Sequence, residues 1–224
     1  MKSAKKKTRK EETNPLKKFL KSDDPTVGFI RDIAWVVCAV GIIALLLILL
    51  SGTWPAVVAV ESESMVPNMN IGDLVFVAAA DRYGELQTWE DGLSTGYGRF
   101  NDNPDKQGNT VYGDVIIYRP NGDDSIHPII HRAVTWYEYN ATNPDFNSGY
   151  VTKGDNNQAC DQEYGIAGIG AIKPVKKEWV IGKALFSIPY LGYAPLHLFE
   201  FALILIAIMI IHELYLRKRE EKKK

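Results

Sequence analysis

The chain has 224 residues, with 26 Lys and Arg against 27 Asp and Glu, 46% hydrophobic residues and two cysteines. This balance excludes wholesale disorder, and two cysteines cannot supply the framework of a disulfide-stapled scaffold. The net charge of −1 is a cancellation: residues 1–32 carry ten Lys and Arg against five Asp and Glu, residues 61–195 ten against eighteen, and residues 217–224 six against two.

Residues 1–32 read as a basic tail. Its run KKKTRK, Lys5 to Lys10, has the charge to touch nucleic acid, but ahead of an apolar segment the better reading is a topology signal against anionic lipid. No nucleic-acid partner is expected. From Ile33 to Val60 no side chain is charged, and Ala34 to Leu50 is nearly continuous hydrocarbon. About 20 apolar residues cross a bilayer, so a transmembrane helix is expected over 33–54, with Trp54 as interfacial aromatic and Pro55 as terminator. The rival reading is a cleaved signal peptide with Val57 and Ala59 before the cut. It calls for an apolar core of about 7 to 15 residues, and this run is much longer.

Residues 55–189 read as a β-rich domain. Runs of branched and aromatic residues at Asp73–Ala80, Asp114–Pro120, Ile129–Tyr139, Tyr150–Gly154 and Glu178–Phe186 are separated by Gly, Pro, Asn and Asp clusters. Residues 83–111, poor in apolar side chains, read as a long polar excursion from a strand edge.

Near the C-terminus, Phe201 to Ile211 is wholly apolar but only eleven residues long, too short to span alone. Recruiting its flanks gives a second transmembrane helix over 190–214, with a basic cytoplasmic tail at 215–224; the alternative is a hairpin or an interfacial helix. Glu200 then belongs near the outer headgroups or beside a polar partner. Lys and Arg concentrate at both ends, so the positive-inside bias places both termini in the cytoplasm and the β-rich domain outside. Cys38 falls in the first span and Cys160 in the external domain, so no disulfide joins them.

Three stretches hold residues capable of chemistry: Glu61–Asp73 (ESESMVPNMNIGD), His127–Val134 (HPIIHRAV) and Lys153–Asp161 (KGDNNQACD). Each alone is ordinary turn or strand sequence. Together they hold what serine acyl chemistry needs: a hydroxyl, a base to take its proton, and a group that orients the base. Of four histidines, His197 and His212 lie in or beside the second apolar segment. His127 precedes Pro128 and belongs to a turn, which leaves His131 as the base, inside an apolar run. Ser64 is the hydroxyl, and the orienting carboxylate is Asp155 or Asp161.

The strings ESESMVP, GDVIIYRP, PIIHRAV and TKGDNNQACD, in this order behind an anchor, resemble the archaeal and endoplasmic-reticulum branch of the type I signal peptidases. The resemblance runs from Glu61 to about Val180. It implies a mainly β, signal-peptidase-like catalytic domain carried between N-terminal and C-terminal transmembrane helices, and a serine endopeptidase that removes signal peptides from exported preproteins at the outer membrane face. It implies Ser64 as nucleophile, His131 as base where bacterial members use lysine, Asp161 as the carboxylate orienting His131, and Asp155 as a support of the site. Ser62 is implied as an oxyanion helper. Met65, Val66, Pro67 and Met69 would edge the substrate site.

Membrane lipid and the translocation machinery are the expected partners, and no cofactor or metal is implied. Two features depart from the branch: the long excursion, and Cys160 directly before Asp161. Cys160 suggests a thiolate rival to Ser64, but nothing around it resembles a catalytic cysteine signature. Lys153 could be offered as a lysine base, against the plainer reading of a solvated lysine at a strand end. Another class also fits the strands, a non-catalytic membrane-anchored β domain acting as a binding module or a processing-complex subunit.

Overall fold

The computed structural model describes residues 19, 20, 22, 24–140, 142 and 147–221. The run Lys5 to Lys10 and the last three lysines lie outside the described residues. Helix α1 spans Pro25–Ser51 and starts well ahead of Ile33, taking in Arg31 and Asp32 from the expected tail. The reason is local. Asp24 Oδ1 accepts the N–H groups of Thr26 and Val27 at 2.8 and 3.2 Å, and Pro25 occupies the first helical position, where its missing N–H costs nothing. The helix stops at Ser51, before Trp54, because Gly52 turns the backbone left-handed (φ 72°). Beyond that point, Tyr83 Oη and Arg82 Nη2 donate to the carbonyls of Leu50 and Leu49, left free at the helix end. Among the described residues α1 is the one helix long and apolar enough to cross a membrane, and none of its most apolar stretch is buried. A helix apolar all round and covered by no protein suits membrane anchoring.

The rest is built on a six-stranded sheet of β1 (Val57–Ala59), β2 (Leu74–Ala78), β3 (Val115–Tyr118), β4 (Ile129–Tyr137), β5 (Gly149–Lys153) and β6 (Val180–Ile188). The order is β1-β2-β6-β3-β4-β5, with every neighbouring pair antiparallel. Five strands fall where the runs of branched and aromatic residues predict them. β1 is hidden in sequence because its VVA continues the apolar character of the segment before it.

Strand alternation divides the central strands between two cores. Val115 and Ile117 pack with Val60, Met65, Met69, Val75, Val77 and Ile181 on one side, while Ile116, Tyr118 and Ala133 pack with Ile172 and Val175 on the other. β3 is buried on both faces, so VIIY shows no polar alternation.

Residues 83–111 are ordered against the domain and contain helix α2 (Trp89–Thr95), which the scarcity of apolar residues concealed. Thr88 and Asp91 form its capping box. The buried Asp114 carboxylate ties the excursion down, accepting from the Gln87 N–H at 3.0 Å and Tyr97 Oη at 2.8 Å, with Arg99 Nε at 3.5 Å. Buried Lys183 of β6 donates to the Gly84 carbonyl at 2.6 Å. Gly113 must be glycine here: its φ is +72°, and a Cβ would lie 2.5 Å from the Thr88 carbonyl carbon.

After β5 comes the single turn of α3 (Asp161–Tyr164). After β6 the chain forms α4 (Tyr193–Leu196) and α5 (Leu198–Glu221), broken at His197. The helix expected over 190–214 is therefore split in two and runs further towards the C-terminus. His197 Nδ1 lies 3.8 Å from Glu200 Oε1, the polar partner expected for that carboxylate.

Candidate active site

β4 positions the candidate base. His131 and Arg132 are neighbours on this strand and point to opposite faces of the sheet, so each reaches a different aspartate. His131, 3% exposed, places Nδ1 2.6 Å from Oδ2 of Asp161, itself 2% exposed. Asp161 reaches it because Cys160 serves as N-cap and α3 opens on the aspartate. An ionised carboxylate only accepts, so Nδ1 is the donor in this pair, and in the neutral imidazole Nε2 is then the nitrogen with the lone pair a general base requires. The same Oδ2 accepts from Thr152 Oγ1 at 2.6 Å and Tyr118 Oη at 2.9 Å. Burial, and next the charge of Asp161, hold the Tyr118 phenol well above its ordinary value, so it remains a donor.

On the other face, Arg132 is fully buried and forks onto Asp155, with Nε to Oδ1 at 2.8 Å and Nη2 to Oδ2 at 2.7 Å. Its remaining N–H groups donate to carbonyls of the excursion, Arg99 and Phe100 at 2.9 Å each, and to Gly113 at 3.2 Å. Asn68 Nδ2 donates to Asp155 Oδ2 at 2.8 Å. The turn 154–157 also grips the serine segment, for the Asn156 N–H donates to the Ser64 carbonyl at 2.8 Å and its Nδ2 to the Glu63 carbonyl at 3.0 Å.

A Cβ on Gly154 would stand 2.6 Å from the Ser64 carbonyl oxygen. Gly154→Ala is therefore expected to displace Ser64 and slow turnover by about a hundredfold, with a smaller loss of melting temperature. Parallel rate and thermal-denaturation measurements check this.

Ser62, Ser64, Met65, His131 and Asp161 line one groove of about 1430 Å³. Ser64 Oγ is hydrogen-bonded to Ser62 Oγ at 3.2 Å; among the described residues no hydrogen bond joins it to His131. Val66, Pro67 and Met69 do not line the groove. Met69 is fully buried and serves the core, and Met65, 1% exposed, packs in that core as well.

Lys153 is not a solvated strand-end residue. It crosses to the excursion, where its Nζ donates to Asp105 Oδ2 at 3.0 Å and Gln107 Oε1 at 2.7 Å. Burial raises the Asp105 carboxyl, but hydrogen bonds from Asn109 and Lys153 outweigh it and hold it below the usual range. Cys160 lines the groove, yet burial, aided by the Glu163 and Asp161 carboxylates, pushes its thiol up and away from the thiolate a nucleophile needs. Both cysteines are free. His127 lies outside β4 and pairs at 2.9 Å with Glu61.

The residues that motif reading passed over are Tyr118, Thr152, Asn68 and the full role of Arg132. Tyr118 and Thr152 stand in the strings GDVIIYRP and TKGDNNQACD. Only strand register reveals that they share the His131 face: Ile116, two residues from Tyr118, pairs with His131, and Thr152 pairs with Ala133.

Comparison with known proteins finds the signal peptidase complex catalytic subunit sec11 of Pyrenophora tritici-repentis, 31% identical over 144 residues, 64% of each chain. The SEC11 subunit of Tuber melanosporum is 31% identical over 144 residues, 64% of this chain and 63% of the relative. The SEC11C subunit of Homo sapiens is 28% identical over 175 residues, 78% of this chain and 73% of the relative. Over these stretches the chain is similar to catalytic subunits of signal peptidase complexes. These SEC11 homologues represent the endoplasmic-reticulum-type branch of the type I signal peptidases. The chain spans 64% of the length of the Pyrenophora relative it matches. No family model matches the chain.

Proposed function

We propose that this protein is a membrane-bound serine endopeptidase that removes signal peptides from exported preproteins. The observation that carries this reading is the buried His131–Asp161 pair at 2.6 Å in the groove lined by Ser64. In the reaction His131 takes the Ser64 proton, Ser64 forms the acyl-enzyme, and His131 returns the proton to the leaving amine. Backbone N–H groups around Ser64, helped by the Ser62 hydroxyl, receive the oxyanion. Asp161 orients the imidazole, and Asp155, held by Arg132, keeps the serine segment in place.

The substrate enters as an extended strand between the chain leaving β1 and the start of β4. Val58, Ala59, Ile129 and Ile130 line the groove there, and β1 is an edge strand. Helix α1 anchors the domain and α5 supplies a second crossing, with both basic ends in the cytoplasm and the β domain outside. Membrane lipid and the translocation machinery are then its surroundings.

The test is purified full-length protein incubated with a preprotein, followed by N-terminal sequencing of the product. One cut is expected, after small residues at the cut and two before it. Cleavage scattered along unstructured polypeptide would identify a different protease.

A second reading, the non-catalytic binding module, is favoured by one observation: the Ser64 hydroxyl is bonded to Ser62 and not to His131. Catalytic hydrogen bonds often tighten only when substrate binds. A binding module, moreover, has no use for a buried imidazole fixed in the tautomer of a base.

A further inference from the structure

The Asp161 carboxylate is held by more than the histidine it serves. Three donors converge on its Oδ2: His131 Nδ1 at 2.6 Å, Thr152 Oγ1 at 2.6 Å and Tyr118 Oη at 2.9 Å. They come from three adjacent strands, β4, β5 and β3, while Asp161 itself begins a helix of only four residues. Such a short turn has little rigidity of its own, so the carboxylate's aim is set by what it bonds to on the sheet.

Thr152 is fully buried and its hydroxyl is itself located, with the backbone N–H bonded to Gln162 Oε1 at 3.0 Å and Tyr118 Oη 3.2 Å away. Tyr118 is likewise fully buried. Neither residue lines the groove, so neither meets substrate.

We propose that Thr152 and Tyr118 are positioning residues for the base: their hydroxyls clamp Asp161 Oδ2 so that His131 is held with Nε2 turned to the reacting serine. This rests on the protease reading above and deepens it. The clamp makes a geometric demand. With either hydroxyl removed, the carboxylate can swing on its short turn, and the imidazole loses orientation during proton transfer without any change in the substrate-binding surface. The loss then appears in kcat and not in KM.

The experiment compares the full-length protein with Thr152→Val, Thr152→Ser, Tyr118→Phe and Ser64→Ala on one preprotein, with melting temperatures recorded alongside. Valine matches threonine in shape but lacks the hydroxyl, and serine keeps the hydroxyl in a smaller side chain. Thr152→Val and Tyr118→Phe are each expected to lower kcat about tenfold, part of what acid–base catalysis contributes, with KM unchanged. Thr152→Ser is expected to restore most of the rate despite its smaller volume.

Thr152→Ser as slow as Thr152→Val would mean that the residue acts by packing, and would overturn the assignment. So would unaltered kcat in both Thr152→Val and Tyr118→Phe at a Ser64-dependent wild-type rate, which leaves the protease reading standing. If the unaltered protein cleaves nothing, or Ser64→Ala cleaves as fast, the protease reading fails and takes the clamp with it.

Discussion

Ser64→Ala and His131→Ala are each expected to reduce preprotein processing by at least about a thousandfold, while the protein stays folded and membrane-inserted. In the proposed mechanism the serine hydroxyl forms the covalent intermediate, and no neighbour replaces it. The Ser62 hydroxyl, 3.2 Å away, serves the oxyanion in this reading, and the Cys160 thiol is held in its protonated form. Removing the imidazole leaves Asp161 still bonded by Thr152 and Tyr118, so the site does not collapse around an unpaired buried charge. Because serine and histidine act on one proton, the double variant should be scarcely slower than either single one. Processing at the normal rate in Ser64→Ala would sink the acyl-enzyme mechanism outright.

The second large effect separates the two aspartates. Asp155→Asn is expected to destabilise the domain by about 3–5 kcal/mol, because it leaves the Arg132 guanidinium as a buried cation without its counter-charge. For a domain of this size that is a melting point lower by roughly 10 °C. Asp161→Asn keeps the shape of a side chain whose partners are two hydroxyls and an imidazole, and should cost about 1–2 kcal/mol while lowering turnover more severely. Arg132 spans the sheet, the 154–157 turn and the excursion carbonyls at Arg99 and Phe100, so its loss of a partner is felt in all three. Thermal denaturation of the detergent-solubilised variants, with activity assayed on the same samples, decides the matter. Equal melting temperatures for the two would remove the division of labour proposed here.

Much of the architecture is legible in the linear chain because it depends on short-range pattern. The uncharged run from Ile33 to Val60 announces α1, and runs of branched and aromatic residues mark five of six strands. Local chemistry misread from a distance includes the start of α1, where the Asp24-Pro25 cap outweighs the charges at Arg31 and Asp32, and α2, whose capping box at Thr88 and Asp91 sits among polar residues. The excursion was visible only as length. Its attachment to Arg132 and Lys153 is made through backbone carbonyls and a long-range ion pair, for which no periodicity exists.

Composition, charge placement and motif order by themselves determined the anchor, the β-rich domain between basic ends, and the residue types gathered for the chemistry: Ser64, His131 and a choice of two aspartates. The motif resemblance already favours Asp161 for the histidine, and the tertiary structure supplies the geometry, with Asp161 2.6 Å from His131 Nδ1. Adjacent residues on a strand face opposite ways, so His131 and Arg132 divide Asp161 and Asp155 between the two sides of the sheet. Which one meets the histidine depends on register across β3, β4 and β5, a property of pairing between distant segments that no single segment carries.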